Sequence, residues 1–210
     1  MIITQIKKVG RGDRYSLYVD EQFIVALEAE IVVKNKLRTG QEVDNSFLEK
    51  LKLENGDYAS FDKALTYLEK GIKTEKGVRD YLYKKGYLKP SVDKTIEKLK
   101  SYGYIDDAAY AENYIKTYSG SRGSKKIKYD LILKGVKKEI VLQKLEELID
   151  EDEEFETCLQ VCQKYLKNKV IDQKTYQKLS NHLASKGFSY DIISRAVKIS
   201  LKEACDESWD

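Results

Sequence analysis

The side chains of this 210-residue chain that could carry chemistry fall into a few groups. Asp106 and Asp107 are adjacent carboxylates, a pairing that can serve metal binding or acid–base work. They follow Gly103-Tyr104-Ile105 and open a helical pattern, where an acidic side chain accepts from the first free amides, so a helix cap is the expected role. Glu151-Asp152-Glu153-Glu154 lacks ligand spacing and reads as a solvated junction or a helix start. Cys158 and Cys162, four apart, share one face of a predicted helix. A zinc ion there needs further soft ligands, and the chain offers only Cys205 and one histidine, His182. Buried, reduced thiols are expected instead, in keeping with an odd cysteine count and no secretory signal. No GxxxxGK(S/T), GxSxG or HExxH string occurs, and a single histidine leaves most histidine-dependent catalysis without its base. The expectation is a protein with no catalytic residues, no metal and no cofactor.

The remaining chemistry is that of polyanion binding. Net charge is only +3, but its distribution is uneven: −1 over 1–58, +5 over 59–105, +1 over 106–150 and −2 over 151–210. Within 116–138, eight basic residues face one acidic residue, Asp130. Gly120-Ser121-Arg122-Gly123, followed by Ser124, Lys125, Lys126 and Lys128, is a basic loop opening a helix, a reasonable phosphate seat. The GxxG form matches the nucleotide clamp of KH domains, but the flanking strands of that fold are missing. Solvated lysines on an exposed loop are an equal reading. Of sixteen tyrosines, most, including Tyr67, Tyr87, Tyr104, Tyr114 and Tyr165, sit at core-like positions. Tyr83 and Tyr118, beside basic residues, are candidates for base stacking.

These groups must be held by a two-part architecture. Residues 1–27 alternate in the manner of three short antiparallel strands, with a turn at Gly10-Arg11-Gly12-Asp13 and another at Asp20-Glu21-Gln22. Residues 28–36 and Asn45–Leu53 read as helices, and Asn55-Gly56-Asp57 as a boundary. From residue 59 the period is helical, with Phe61, Leu65, Leu68 and Ile72 forming an apolar stripe. The sole proline, Pro90, suits a helix's first turn.

An internal repeat governs the helical part. Leu82 to Tyr87, Leu131 to Val136 and Leu183 to Phe188 share the form Leu-x-x-Lys-Gly-apolar, with glycines at 86, 135 and 187. Upstream of each lies Tyr67-Leu68, Tyr114-Ile115 or Tyr165-Leu166. Downstream comes an amphipathic helix with core positions Val92/Ile96/Leu99, Ile140/Leu145/Leu148 or Ile192/Ile193/Val197. Each unit reads as two helices, a glycine C-cap and a third helix, the last with Ser189 as its N-cap. Expected domains are 1–57, a small β/α domain, and three helical repeats over 58–105, 106–150 and 151–210. The longest apolar runs, such as Ile31–Val33, are too short for a bilayer, and MIITQIKKVG has no signal-peptide core. A cytosolic protein without membrane contact is expected.

The second unit is the most specific stretch. Tyr102-Gly103-Tyr104-Ile105-Asp106-Asp107, then Tyr110-Ala111 and Tyr114-Ile115, the Gly123 loop and Leu131-x-x-Lys134-Gly135 together resemble the core signature of the RecX family. Lys186-Gly187-Phe188 with Asp191 and Ile193 resembles that family's C-terminal end. The match spans roughly 59–203, and the β-containing start is similar to that of some members from Gram-positive bacteria. The resemblance implies a mostly α fold of three tandem three-helix repeats in an elongated, curved array. It implies binding to RecA recombinase filaments and weak, sequence-independent binding to single- and double-stranded DNA. It further implies inhibition of strand exchange and of RecA ATP hydrolysis in recombinational repair and the SOS response, with no enzymatic activity of the chain's own. Where members often carry arginines this chain has lysines, and an arginine expected near Thr117-Tyr118 is absent. Candidate contacts are Arg79, Lys84 and Lys85 in the first unit and Arg122, Lys125, Lys126 and Lys128 in the second. The alternative is a stand-alone DNA-binding regulator of helix-turn-helix type, marked by preference for particular duplex sites. A pure protein-interaction scaffold of helical repeats, showing little salt-dependent DNA binding, is a third reading.

Overall fold

A computed structural model describes residues 1–10, 12–167 and 174–206, with side chains described as far as residue 202. Three strands, β1 (Ile3–Val9), β2 (Arg14–Val19) and β3 (Gln22–Glu28), form an antiparallel meander in the order β1-β2-β3. Asp20 and Glu21 close the β2–β3 hairpin with φ of 48° and 66°, the conformation whose twist matches the strands. Side chains hold that turn: Asp20 Oδ1 accepts from the Ile2 amide at 2.8 Å, and Thr4 Oγ1 from the Glu21 amide at 3.0 Å. In the expected β1–β2 turn, Arg11 lies outside the described residues.

Helix α1 (Ala29–Lys34) follows, and then α2 (Asn45–Leu68), a single helix of 24 residues. The expected break at Asn55-Gly56-Asp57 is not there, and neither is a helix end at Leu53. Local propensity loses to tertiary anchoring. Asn55 is buried and bridges to the sheet, accepting from the Glu28 amide at 2.8 Å and donating to the Ala26 carbonyl at 3.2 Å. Gly56 lets α4 come close, since a Cβ there would sit 3.0 Å from Ser91 Oγ. At its other end α2 stops at Leu68, which leaves Ile72 exposed, outside the stripe assigned to it; fully buried Ala64 is the residue at the centre of that face.

The further helices are α3 (Glu75–Lys84), α4 (Lys89–Ser101), α5 (Asp107–Tyr118), α6 (Ser124–Leu133), α7 (Lys138–Leu148), α8 (Glu151–Leu166), α9 (Thr175–Lys186) and α10 (Tyr190–Asp206). Pro90 lies in the first turn of α4. Asp106 caps α5, accepting from the Ala108 and Ala109 amides at 2.8 and 3.0 Å. Ser189 caps α10 through the Ile192 amide at 3.3 Å. Gly86, Gly135 and Gly187 have φ of 87°, 90° and 90°, and the residue after each donates back to the leucine carbonyl five positions earlier. These are the expected C-caps. No described helix is long and apolar enough to cross a membrane.

Contacts divide the chain into two compact units, Met1–Lys73 with Gly77–Ile105, and Thr74–Lys76 with Asp106–Asp210. The first holds two apolar cores. One joins the sheet, α1 and the start of α2 around Leu17, Leu27, Ile31 and Leu51; the other joins the end of α2 to α3 and α4 around Ala64, Val78, Leu82 and Ile96. The second also holds two: α5–α7 around Ala111, Ile115, Ile127, Leu131 and Val141, and α8–α10 around Cys158, Cys162, Leu179, Leu183 and Val197. The molecule is thus mostly helical, three three-helix groups following a small antiparallel sheet. Val141 is buried in α7, while the expected Ile140 and Leu148 pack at its margin. Tyr104, expected in the core, is 54% exposed; after Gly103 the chain turns so that Ile105 is buried instead.

Candidate partner and nucleic-acid interface

The basic segment of the second unit is organised around its one carboxylate. Asp130 takes an ion pair from Arg122 at 3.0 Å on Oδ2 and one from Lys126 at 2.8 Å on Oδ1, and the Tyr114 hydroxyl donates to Oδ2 at 3.2 Å. The Arg122 guanidinium also lies over the Tyr118 ring, 4.2 Å from its centroid, and the other neighbour of that ring is Tyr114 at 4.4 Å. Burial pushes the Asp130 carboxyl up, but hydrogen bonding and charge from Lys126, then Tyr114 and Arg122, outweigh it and hold it below the ordinary aspartate range. Burial and the Asp130 charge raise the Tyr114 phenol. Arg122 and Lys126 therefore brace the α5–α6 turn, and Tyr118 has its ring engaged by Arg122 and Tyr114.

The start of α6 is not open to a phosphate. Glu154, from the first turn of α8, accepts from the Ser124 amide at 2.8 Å and from its hydroxyl at 3.1 Å. The Lys125 amide donates to the Gly187 carbonyl at 3.2 Å, and the Gly123 amide to that of Lys186 at 3.0 Å. A carboxylate and two carbonyls thus occupy the place an anion would take. The adjoining groove, about 440 Å³, sets Arg122 against Asp152, Glu153, Glu154 and Glu156, which repels anions further.

Lys125 is exposed and Lys128 half-exposed, and neither ammonium has a partner among the described residues. In the first unit, Arg79 pairs with Asp93. Lys85 lies over the Tyr81 ring, 5.7 Å from its centroid, with Tyr81 stacked on Tyr67. Lys84 is exposed without a partner among the described residues, and Tyr83 beside it is 43% exposed. Among the described residues the nine candidate side chains thus divide into groups without a partner (Lys84, Lys125, Lys128, Tyr83), an exposed one leaning on a ring (Lys85) and those engaged by neighbours (Arg79, Arg122, Lys126, Tyr118).

Two features escaped sequence reasoning. Asp130 had a legible signal, as the lone acid four residues after Lys126 and eight after Arg122. Glu154 had none, since it reaches Ser124 across thirty positions. Cys158 and Cys162 are fully buried, and hydrogen bonding between them with burial pushes the Cys158 thiol up, as for inert core thiols. The described residues contain no cluster of three metal-ligating side chains; the Cys205 side chain lies outside them.

Comparison with known proteins supplies the rest. Family models match in four consecutive pieces: the regulatory protein RecX N-terminal domain over 1–44, and the RecX first, second and third three-helix domains over 61–99, 106–145 and 151–197. A regulatory protein RecX of Clostridium perfringens is 38% identical over 200 residues, covering 93% of this chain and 94% of that protein. A crystal structure of RecX from Lactobacillus salivarius matches with a TM-score of 0.63 at 27% identity, over 70% of this chain and 97% of that one. A second crystal structure, of a regulatory protein RecX, has the same fold, with a TM-score of 0.68 at 22% identity over 92% and 97%.

Proposed function

Given that this chain belongs to the RecX family of regulatory proteins, we propose that it binds RecA nucleoprotein filaments and restrains their recombinase and ATPase activity during recombinational repair. The observation that carries the reading is the succession of four RecX domain matches along a chain whose relatives are regulatory proteins. The chain acts by binding rather than by catalysis, in the cytoplasm, with four modules at 1–57, 58–105, 106–150 and 151–210. The free ammonium groups of Lys84, Lys125 and Lys128 are its phosphate contacts, attracting DNA without reading sequence. Lys85 adds to this field, and Tyr83 offers a ring to an unstacked base. Arg79, Arg122, Lys126 and Tyr118 hold the elements that present them. Two lysine contacts on α6 suit loose, salt-sensitive attraction, because lysine lacks the bidentate geometry of arginine.

Charge reversal tests this without touching the Asp130 cluster. Lys84→Glu, Lys125→Glu and Lys128→Glu together should weaken binding to RecA filaments on single-stranded DNA. The plot of log affinity against log salt should flatten by about 0.7 per lost contact. An unchanged slope and affinity would remove these residues from the interface. Selection of a preferred duplex sequence by the parent protein would instead favour a stand-alone DNA-binding regulator.

A further inference from the structure

Two of the three glycine C-caps are plugged, each by the start of a second helix from the repeat pattern. At Gly135, Thr74 Oγ1 donates to the Lys134 carbonyl at 2.8 Å and Lys76 Nζ to the Leu133 carbonyl at 3.0 Å; a Cβ on Gly135 would overlap the Lys76 side chain. At Gly187, the Gly123 and Lys125 amides donate to Lys186 and Gly187, and a Cβ would overlap the Lys126 backbone. In both, a carboxylate of the repeat that carries the glycine caps the incoming helix: Asp107 accepts from the Glu75 amide at 2.9 Å, and Glu154 from that of Ser124 at 2.8 Å. Gly86 has the same backbone geometry and the same back-bonded cap, yet a Cβ there would meet nothing within 4 Å. The carbonyls of Lys85 and Gly86 accept no hydrogen bond among the described residues. Leu88, 69% exposed, and Tyr83 flank this end of α3, as do the exposed Lys84, Lys85 and Lys89.

We propose that the Gly86 end of α3 is a socket for a helix N-terminal turn of a protein partner. The occupant is a turn that carries an acidic residue and comes from a protein subunit of the filament. That last identification rests on the function proposed above; the socket itself rests on the two plugged copies. Open carbonyls require N–H or O–H donors, which a helix start supplies in excess. Three lysines favour a carboxylate in that turn, a charge particular to the Gly86 end, since the internal plugs meet a carboxylate supplied by the repeat that carries the glycine. Leu88, exposed beside the open carbonyls, offers the occupant an apolar contact. A second copy of this chain is a poor plug, because the start of its remaining second helix, at Thr175, is already 94% covered.

The geometry permits variants that obstruct the socket and spare the fold. Asparagine tolerates positive φ, so Gly86→Asn has room in the isolated chain but blocks close approach. Leu88→Ser places a favoured residue at the N-cap of α4 while removing the apolar contact. Each variant is to be compared with the parent by co-sedimentation with RecA filaments on poly(dT), by binding to poly(dT) alone, and by thermal melting. The expected result is about a tenfold loss of filament affinity in both variants, the effect of one moderate contact. Melting and binding to naked poly(dT) should match the parent, and a variant that melts early is set aside in favour of the other. Parental filament affinity in the folded variants would overturn the socket, and so would an equal loss on naked poly(dT). A parent that fails to sediment with filaments would overturn the function proposed above, and the occupant with it.

Discussion

Asp130 decides how the basic segment of the second unit can be used. One carboxylate, 15% exposed, collects an arginine, a lysine and a tyrosine hydroxyl, so two of the four candidate cations there are bound to structure before any partner arrives. Asp130→Asn should cost about 1–3 kcal/mol at pH 7, because the partners lose a charged acceptor in a partly buried place. Its folded pKa is depressed, so this stabilisation is present above the unfolded value near 3.9 and fades as pH falls through the folded value. Urea unfolding should therefore separate parent and variant at neutral pH and bring them together below about pH 4; equal stability at pH 7 would contradict the hub. The turn beside it offers a sharper contrast. A Cβ at Gly123 would overlap the Gly187 carbonyl and the Phe188 nitrogen, whereas one at Gly120 meets open space. Gly123→Ala should lose about 3 kcal/mol, the upper end of overpacking costs, and Gly120→Ala less than about 0.5. Matching melting temperatures for the two would refute the close approach. Residue types alone were enough to place Asp106 as a cap, because the amides that donate to it lie two and three positions away. They were not enough for the α6 start, where the anion that fills the seat comes from another helix.

At the scale of elements, the repeated Leu-x-x-Lys-Gly-apolar string was legible because its physics is local: the cap bonds span five residues and need a positive φ that glycine provides. Helix α2 was illegible for the opposite reason. Asn, Gly and Asp in sequence are turn formers, and only contacts with the sheet and with α4 keep them helical. Asn55→Ala should destabilise the first unit by about 1–3 kcal/mol, since it strips the Glu28 amide of its acceptor. Backbone amide exchange read at Glu28 should quicken along with it. Slow exchange and parental stability would show that α2 holds through the 55–57 stretch on helix propensity alone. The same dependence on context moved Ile72 and Tyr104 outward, where a helix end and a glycine turn, rather than the apolar period, set the facing.

For the molecule as a whole, a net charge of +3 conceals two basic middle segments between more acidic ends. Among the candidate cations of the described residues, the fold engages some, leans Lys85 on a ring and leaves others free. Arg79, Arg122 and Lys126 are spent on internal carboxylates, and Lys84, Lys125 and Lys128 stay in solvent. Under the proposed function, three such ammonium groups make few phosphate contacts, so attraction to DNA should be weak and its decline with salt shallow. The fold class and repeat number were plain from periodicity and spacing. Which cations are free was not, because pairing is decided by side chains that meet only after folding. The most direct measurement of the regulatory claim is ATP hydrolysis by RecA on single-stranded DNA, titrated with the purified chain. The rate should fall at well under one chain per RecA monomer; an unaltered rate at stoichiometric excess would contradict a regulatory role at the filament.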